Sequence, residues 1–141
     1  MDKPSSQRIN QYWTDIYYHL HYRHTEQISH QAIRLLQHLD FQGKATVGEL
    51  ADFLSVGHNT ASEHIKRLIE KGWLKKLRSA EDERRVFVEI TASGKGVLQY
   101  NTQLNEEKLA TILARLTEEE AATIGYALSI LSREAQACSQ F

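Results

Sequence analysis

Residues 50–74 read LADFLSVGHNTASEHIKRLIEKGWL, and the organisation of the whole chain can be worked out from them. Leu50, Phe53 and Leu54 give a short helix an apolar side. Ser55, Val56 and Gly57 then make a turn of a few residues. Ala61, Ile65, Leu68 and Ile69 recur at i, i+4, i+7 and i+8, one face of a second helix. Gly72 closes that helix, with Lys71 at its electronegative end. Two short helices joined by a tight turn form a helix-turn-helix pattern. Just upstream, Thr46-Val47-Gly48-Glu49 reads as a capping box. The Thr oxygen accepts from the first-turn amide while the Glu carboxylate reaches back.

Further upstream, Ser29 precedes Ala32, Leu35, Leu36 and Leu39, an N-cap followed by an apolar stripe, with Gly43 past its end. Ile9, Trp13, Ile16 and Leu20 fall on one face of a still earlier helix. Downstream of Gly72 the period changes. Leu74 to Arg78 is short and mixed, and residues 79–83 are polar. Val86, Val88 and Ile90 then alternate with Arg85, Phe87 and Glu89, a half-buried strand. This predicts a β-hairpin with a five-residue polar tip. Thr91 can cap the next helix. Leu98, Leu109, Ile112, Leu113 and Leu116 mark one long helix, with Asn101 and Asn105 on its course. Thr117 to Glu120 is a second capping box. Ala121, Ile124, Leu128 and Leu131 form the stripe of a last helix.

Composition limits what such a chain can be. Its 141 residues fit one domain. Roughly 58 of them are apolar, enough for a real core. A net charge of -1 excludes a highly charged disordered tail or a uniformly basic coat. Cys138, the single Cys, makes no intrachain disulfide. The longest run free of Asp, Glu, Lys and Arg is residues 121–132, too short to span a bilayer. With no apolar run near residue 1, a cytoplasmic protein without a membrane partner is expected. No nucleophile stands at motif spacing from a base, and no Gly-rich phosphate loop appears, so an enzyme is not expected. No cofactor is expected either.

The order helix, helix, short helix, helix, hairpin, long helix, helix resembles the MarR family of winged helix-turn-helix regulators. The resemblance rests on residues 50–74, on Asp82-Glu83-Arg84 in the hairpin, and on VEITASGKG, residues 88–96, at the strand-to-helix junction. It implies a mainly α fold with a small β-hairpin wing. In that reading residues 1–141 form a single domain. Residues 29–91 are the winged lobe, and residues 6–24 and 92–138 are dimerisation helices. It further implies an obligate homodimer binding a palindromic operator in double-stranded DNA. The action would be that of a transcription factor, commonly a repressor relieved by a small ligand.

On the recognition helix, the inward set Ala61, Ile65 and Leu68 turns Asn59, Glu63, Lys66, Arg67 and Glu70 outward. Small polar groups near a helix N-terminus suit the major groove. His58, Asn59, Thr60 and Ser62 are therefore the expected base-reading residues, with Lys66 and Arg67 on phosphates or bases. Glu63 either accepts from a cytosine amino group or closes a capping box with Thr60. Lys76, Arg78 and Arg85 extend the basic surface along the hairpin. The resemblance gives Arg84 the minor groove, with Asp82 bracing its guanidinium. Residues 58–85 hold eight Lys and Arg and five acids, a net of +3, against -4 over the other 113 residues. The basic excess thus falls on the lobe that would face phosphates.

Two other readings remain open. A winged-helix protein-interaction module would suit Glu63 and the acidic residues 81–83. A metal-responsive sensor would use the early histidines, His19, His21, His24, His30 and His38. Of these only His21 and His24 share a helix face, too few for a closed zinc site, so no metal ligands are assigned. Trp13, Tyr17 and His21 could line a pocket for a small aromatic ligand. Thiol sensors of the resembled family carry their Cys in the first helix, where this chain has none.

Overall fold

The computed structural model describes residues 2–23, 28–82 and 84–138. Its elements are α1 (Ser6–Leu20), α2 (His30–Gln42), β1 (Ala45–Thr46), α3 (Val47–Leu54), α4 (His58–Glu70), β2 (Leu74–Arg78), β3 (Val86–Ile90), α5 (Ala92–Thr102), α6 (Glu106–Arg115) and α7 (Glu118–Ala137). The chain divides into two compact units between Gln103 and Leu104.

The first unit is built around α2. Ser29 caps it, accepting from Ala32 N–H at 3.1 Å, and Gly43 is its C-cap. Its stripe Ala32, Leu35, Leu36 and Leu39 is buried as the spacing requires. Leu50 and Leu54 of α3, Ile65 and Leu68 of α4, and Leu74, Val88 and Ile90 of the sheet close over it. Burying side chains of this size stabilises by about 1.5–3 kcal/mol each before chain entropy is counted.

The hairpin is part of a three-stranded antiparallel sheet, ordered β1-β3-β2. The third strand, β1, is the difference from the sequence expectation. It pairs Ala45 with Val88 and Thr46 with Phe87. Two residues carry no alternation to read, and the capping box beginning at Thr46 conceals them. Across β2 and β3, Lys75 faces Glu89 and Leu77 faces Phe87.

The junction after β3 has a steric basis. Thr91 N–H donates to Trp73 O at 3.0 Å, and Thr91 Oγ1 donates to Gly72 O at 2.6 Å. The same Oγ1 accepts from Gly94 N–H, capping α5. This folds α5 so tightly onto Trp73 that a Cβ at Gly94 would overlap the Trp73 carbonyl. The Thr-x-x-Gly spacing is therefore dictated by packing. On α5, Asn101 donates through Nδ2 to Val97 O, and its carbonyl accepts from Tyr17 Oη of α1 at 3.0 Å.

The single long helix expected from Thr91 onward is two helices. Gln103 is the C-cap of α5, and Asn105 starts α6 by accepting from Lys108 N–H at 3.1 Å. Glu106 and Glu107 in the first turn favour the new N-terminus. In this second unit α7 opens with the expected capping box of Thr117 and Glu120. Among the described residues no helix is long and apolar enough to cross a membrane.

Candidate nucleic-acid interface

The turn between α3 and α4 sets where the second helix begins. The α3 capping box is complete: Thr46 Oγ1 accepts from Glu49 N–H, and Glu49 Oε1 accepts from Thr46 N–H. Ser55 ends α3 in the left-handed region, at φ 56°. Gly57 is the N-cap of α4 without a side-chain bond, so the helix starts at His58. Thr60 is thus already in the first turn. The Thr60–Glu63 capping box is corrected on this ground: both residues lie inside the helix.

The buried stripe Ala61, Ile65 and Leu68 anchors α4. It leaves His58, Asn59, Thr60, Glu63, Lys66 and Arg67 exposed, with Ser62 half-buried. The N-terminal turn is therefore a small polar surface with free amides, while the cations lie further along. Arg67 Nη2 donates to His64 Nδ1 at 2.8 Å, which holds its guanidinium along the helix. Gly72, at φ +80°, lets the chain leave α4 and run directly into β2.

Lys76, Arg78, Asp82, Arg84 and Arg85 are all exposed on the hairpin. Glu83 lies outside the described residues. The tip is ordered by its own main chain. Ser79 Oγ accepts from Glu81 and Asp82 N–H groups, and Arg85 N–H donates to Asp82 O. The expected brace between Asp82 and the Arg84 guanidinium takes another form. Asp82 Oδ1 accepts from the Arg84 backbone N–H at 2.9 Å. Asp82 sets the turn on which Arg84 stands. At the root of the wing, Lys75 Nζ and Glu89 Oε1 form an ion pair at 2.9 Å.

Lys44, which the patterns did not single out, adjoins this surface. Lys44 Nζ lies 4.5 Å from the centroid of the Phe87 ring, and Arg85 Cζ lies 5.6 Å from the same centroid. Lys44 sits in the connection before β1, so a reading that lacked β1 had no reason to place it at the wing.

The early histidines are spread out. His19 and His21 donate through Nδ1 to the Asp15 and Tyr17 carbonyls. His38 stacks on Phe53, with centroids 4.1 Å apart. His30 is the first residue of α2. Because α1 ends at Leu20 and His21 is its extended C-cap, the helical face expected to pair His21 with His24 ends before His21. His24 itself lies outside the described residues. Among the described residues no three His, Cys, Asp or Glu are grouped to hold a metal ion. Tyr17 and His21 stack at 5.3 Å, and Trp13, one turn earlier, is 54% exposed.

A helix-turn-helix whose second helix is bare on its polar side, backed by a basic three-stranded wing, defines a winged helix-turn-helix protein. The family model described as Transcriptional regulator SarA/Rot matches residues 21–100. The HTH-type transcriptional regulator YpoP of Bacillus subtilis is 32% identical over 102 residues, 70% of each chain. The multiple antibiotic resistance protein MarR of Escherichia coli is 35% identical over 81 residues, 57% of this chain and 56% of MarR. Among solved structures, a transcriptional regulator from Thermotoga maritima superposes with a TM-score of 0.62 at 26% identity, covering 81% of this chain and 80% of that one. A mutant of E. coli MarR, complexed with operator DNA, gives a TM-score of 0.52 at 28% identity, covering 74% of this chain and 75% of its own. The chain belongs to the MarR/SarA family of winged-helix transcriptional regulators, not to a family of enzymes.

Proposed function

We propose that this protein is a sequence-specific DNA-binding regulator that acts as a homodimer on a palindromic operator. The observation that carries the reading is the shared surface of α4 and the wing. His58, Asn59, Thr60 and Ser62 cluster at the N-terminal turn of α4, and Lys76, Arg78, Arg84 and Arg85 stand on the hairpin, nearly all of them exposed. The helix suits base edges in a major groove, and the wing suits the negative potential of an adjacent minor groove. Lys66 and Arg67 reach toward phosphates. Glu63 is an exposed carboxylate in the N-terminal half of α4, available to a cytosine amino group. The relative solved with operator DNA supports the same use of the fold.

Dimerisation rests on the outer helices. Ile9, Trp13 and Ile16 of α1 and Ile124, Leu128 and Leu131 of α7 stay exposed as apolar stripes, which a second copy would cover. In this reading α1 and the helices after residue 92 serve assembly, and residues 29–91 serve DNA. A repressor relieved by a small aromatic ligand near Trp13, Tyr17 and His21 is the regulatory form we favour. The stacked Tyr17–His21 pair offers a ring face for it.

Selection of binding sites from randomised duplex DNA tests the function. The expected product is an inverted repeat whose half-site centres lie about 10–10.5 bp apart or a multiple of that. Recovery of unrelated sequences with no shared half-site would overturn the reading in favour of a protein-interaction module.

A further inference from the structure

We infer that Lys44 and Arg85, held over the Phe87 ring on the outer side of the wing, form a seat for a DNA backbone phosphate beyond the recognition helix. This deepens the proposed DNA-binding function and rests on it.

The cross-strand register builds the floor. Thr46 and Leu77 both pair with Phe87, so one ring lies at the middle of a row across three strands. Lys44 arrives from the connection after α2, and Arg85 from the end of the hairpin tip. Both place their charge against this ring. Their distances to its centroid keep the two charges within about 10 Å of each other, close to a Debye length at moderate salt. Exposed charges so placed repel each other only weakly, and an anion seated between them is attracted by both. Among the described residues no carboxylate stands within ion-pair distance of Lys44 or Arg85, whereas Lys75 at the root of the same sheet has Glu89.

A cavity of about 330 Å³ opens beside the pair, lined also by Arg78, Leu77 and the wing-tip residue Glu81. Its cations come from three chain segments, and the hairpin that forms its wall is the element assigned to the minor groove. A phosphodiester running past the wing is the anion nearest to hand. Glu81 opposes such a guest and supplies a control of opposite sign.

The test uses the full-length protein and a random-sequence duplex, with affinity measured over a series of salt concentrations. Lys44→Gln should lower the magnitude of the log–log salt slope by about one per bound protomer and weaken binding several-fold at fixed salt. Lys44→Arg should restore both. Glu81→Gln should bind more tightly than wild type. Circular dichroism and sedimentation verify that each variant keeps the wild-type fold and assembly. If wild type binds steeply with salt and Lys44→Gln matches it in slope and affinity, the seat is wrong and the DNA-binding function stands. If wild type binds the duplex without salt dependence, both fall. A saturable rise in Tm with inorganic phosphate at constant ionic strength, lost in Lys44→Gln while the DNA slope is unchanged, would assign the seat to a free oxyanion and overturn it as a DNA contact.

Discussion

The stripes of α2 and α1 are the same signal with opposite outcomes. Both repeat apolar residues every three or four positions. Leu35, Leu36 and Leu39 are completely buried, while Ile9, Trp13 and Ile16 are each about two-fifths exposed or more. Periodicity identifies the face of a helix that prefers an apolar neighbour, not the source of that neighbour. For α2 the neighbours are in the same chain: α3, α4 and the sheet. For α1 and α7 the exposed stripes suit a second copy. In the proposed homodimer, the first region owes its stability to folding alone, and the second to assembly.

The largest expected effects fall in the α2 region. Leu36→Ala should cost about 2–5 kcal/mol by chemical denaturation, at every protein concentration, because it opens a cavity in a closed core. Gly94→Ala should cost about 1–3 kcal/mol, because its Cβ meets the Trp73 main chain, which cannot turn aside as a side chain would. A similar loss from Leu128→Glu, independent of concentration, would erase the contrast between the two regions.

The assembly region should respond differently. Leu128→Glu on α7 should raise the dimer dissociation constant by about 30-fold or more, if this position carries the roughly 2 kcal/mol of a central interface residue. Sedimentation over a concentration series measures it, with helical content preserved. A wild-type protein that stays monomeric at micromolar concentration would remove the basis of the comparison. Smaller again is Thr46→Ala, which removes the α3 N-cap and should cost about 0.5–2 kcal/mol. Its denaturation midpoint should fall without a change in dimer affinity.

The legible and illegible parts of the chain divide on similar physical lines. The capping boxes at Thr46 and Thr117 and the α2 and α4 stripes could be read because each is a local rule with fixed spacing, whereas the strand-to-helix junction at residues 88–96 was legible only through the family resemblance. β1 could not, since two residues have no period and are strand only through pairing with β3. The break at Asn105 left a signal, an N-cap residue followed by two glutamates, but Leu98 and Leu109, eleven residues or about three helical turns apart, keep one apolar face running across it. At the candidate interface, sequence placed the exposed residues of α4 and the wing but gave Asp82 another local partner and left open a Thr60–Glu63 capping box. Gly57 starts α4 early enough to carry Thr60 into the helix, and Asp82 bonds the Arg84 backbone in place of its guanidinium. Lys44 is carried to the wing by the pairing of β1 with β3 and lies against Phe87, more than forty positions away in the chain.

The central claim is that the α4–wing surface serves DNA and not the fold, and Arg84→Ala addresses it most directly. Arg84 is exposed, and the described bond at this position is made by its backbone N–H, which alanine retains. Its removal should change unfolding free energy by no more than about 0.5 kcal/mol. Affinity for the duplex recovered by selection should fall about 30-fold or more, since two wings act per dimer and each lost contact is worth roughly 1–3 kcal/mol. Equilibrium binding and denaturation, measured on the same preparation, give both values. A folded, dimeric Arg84→Ala protein that binds this duplex as tightly as wild type would contradict the account.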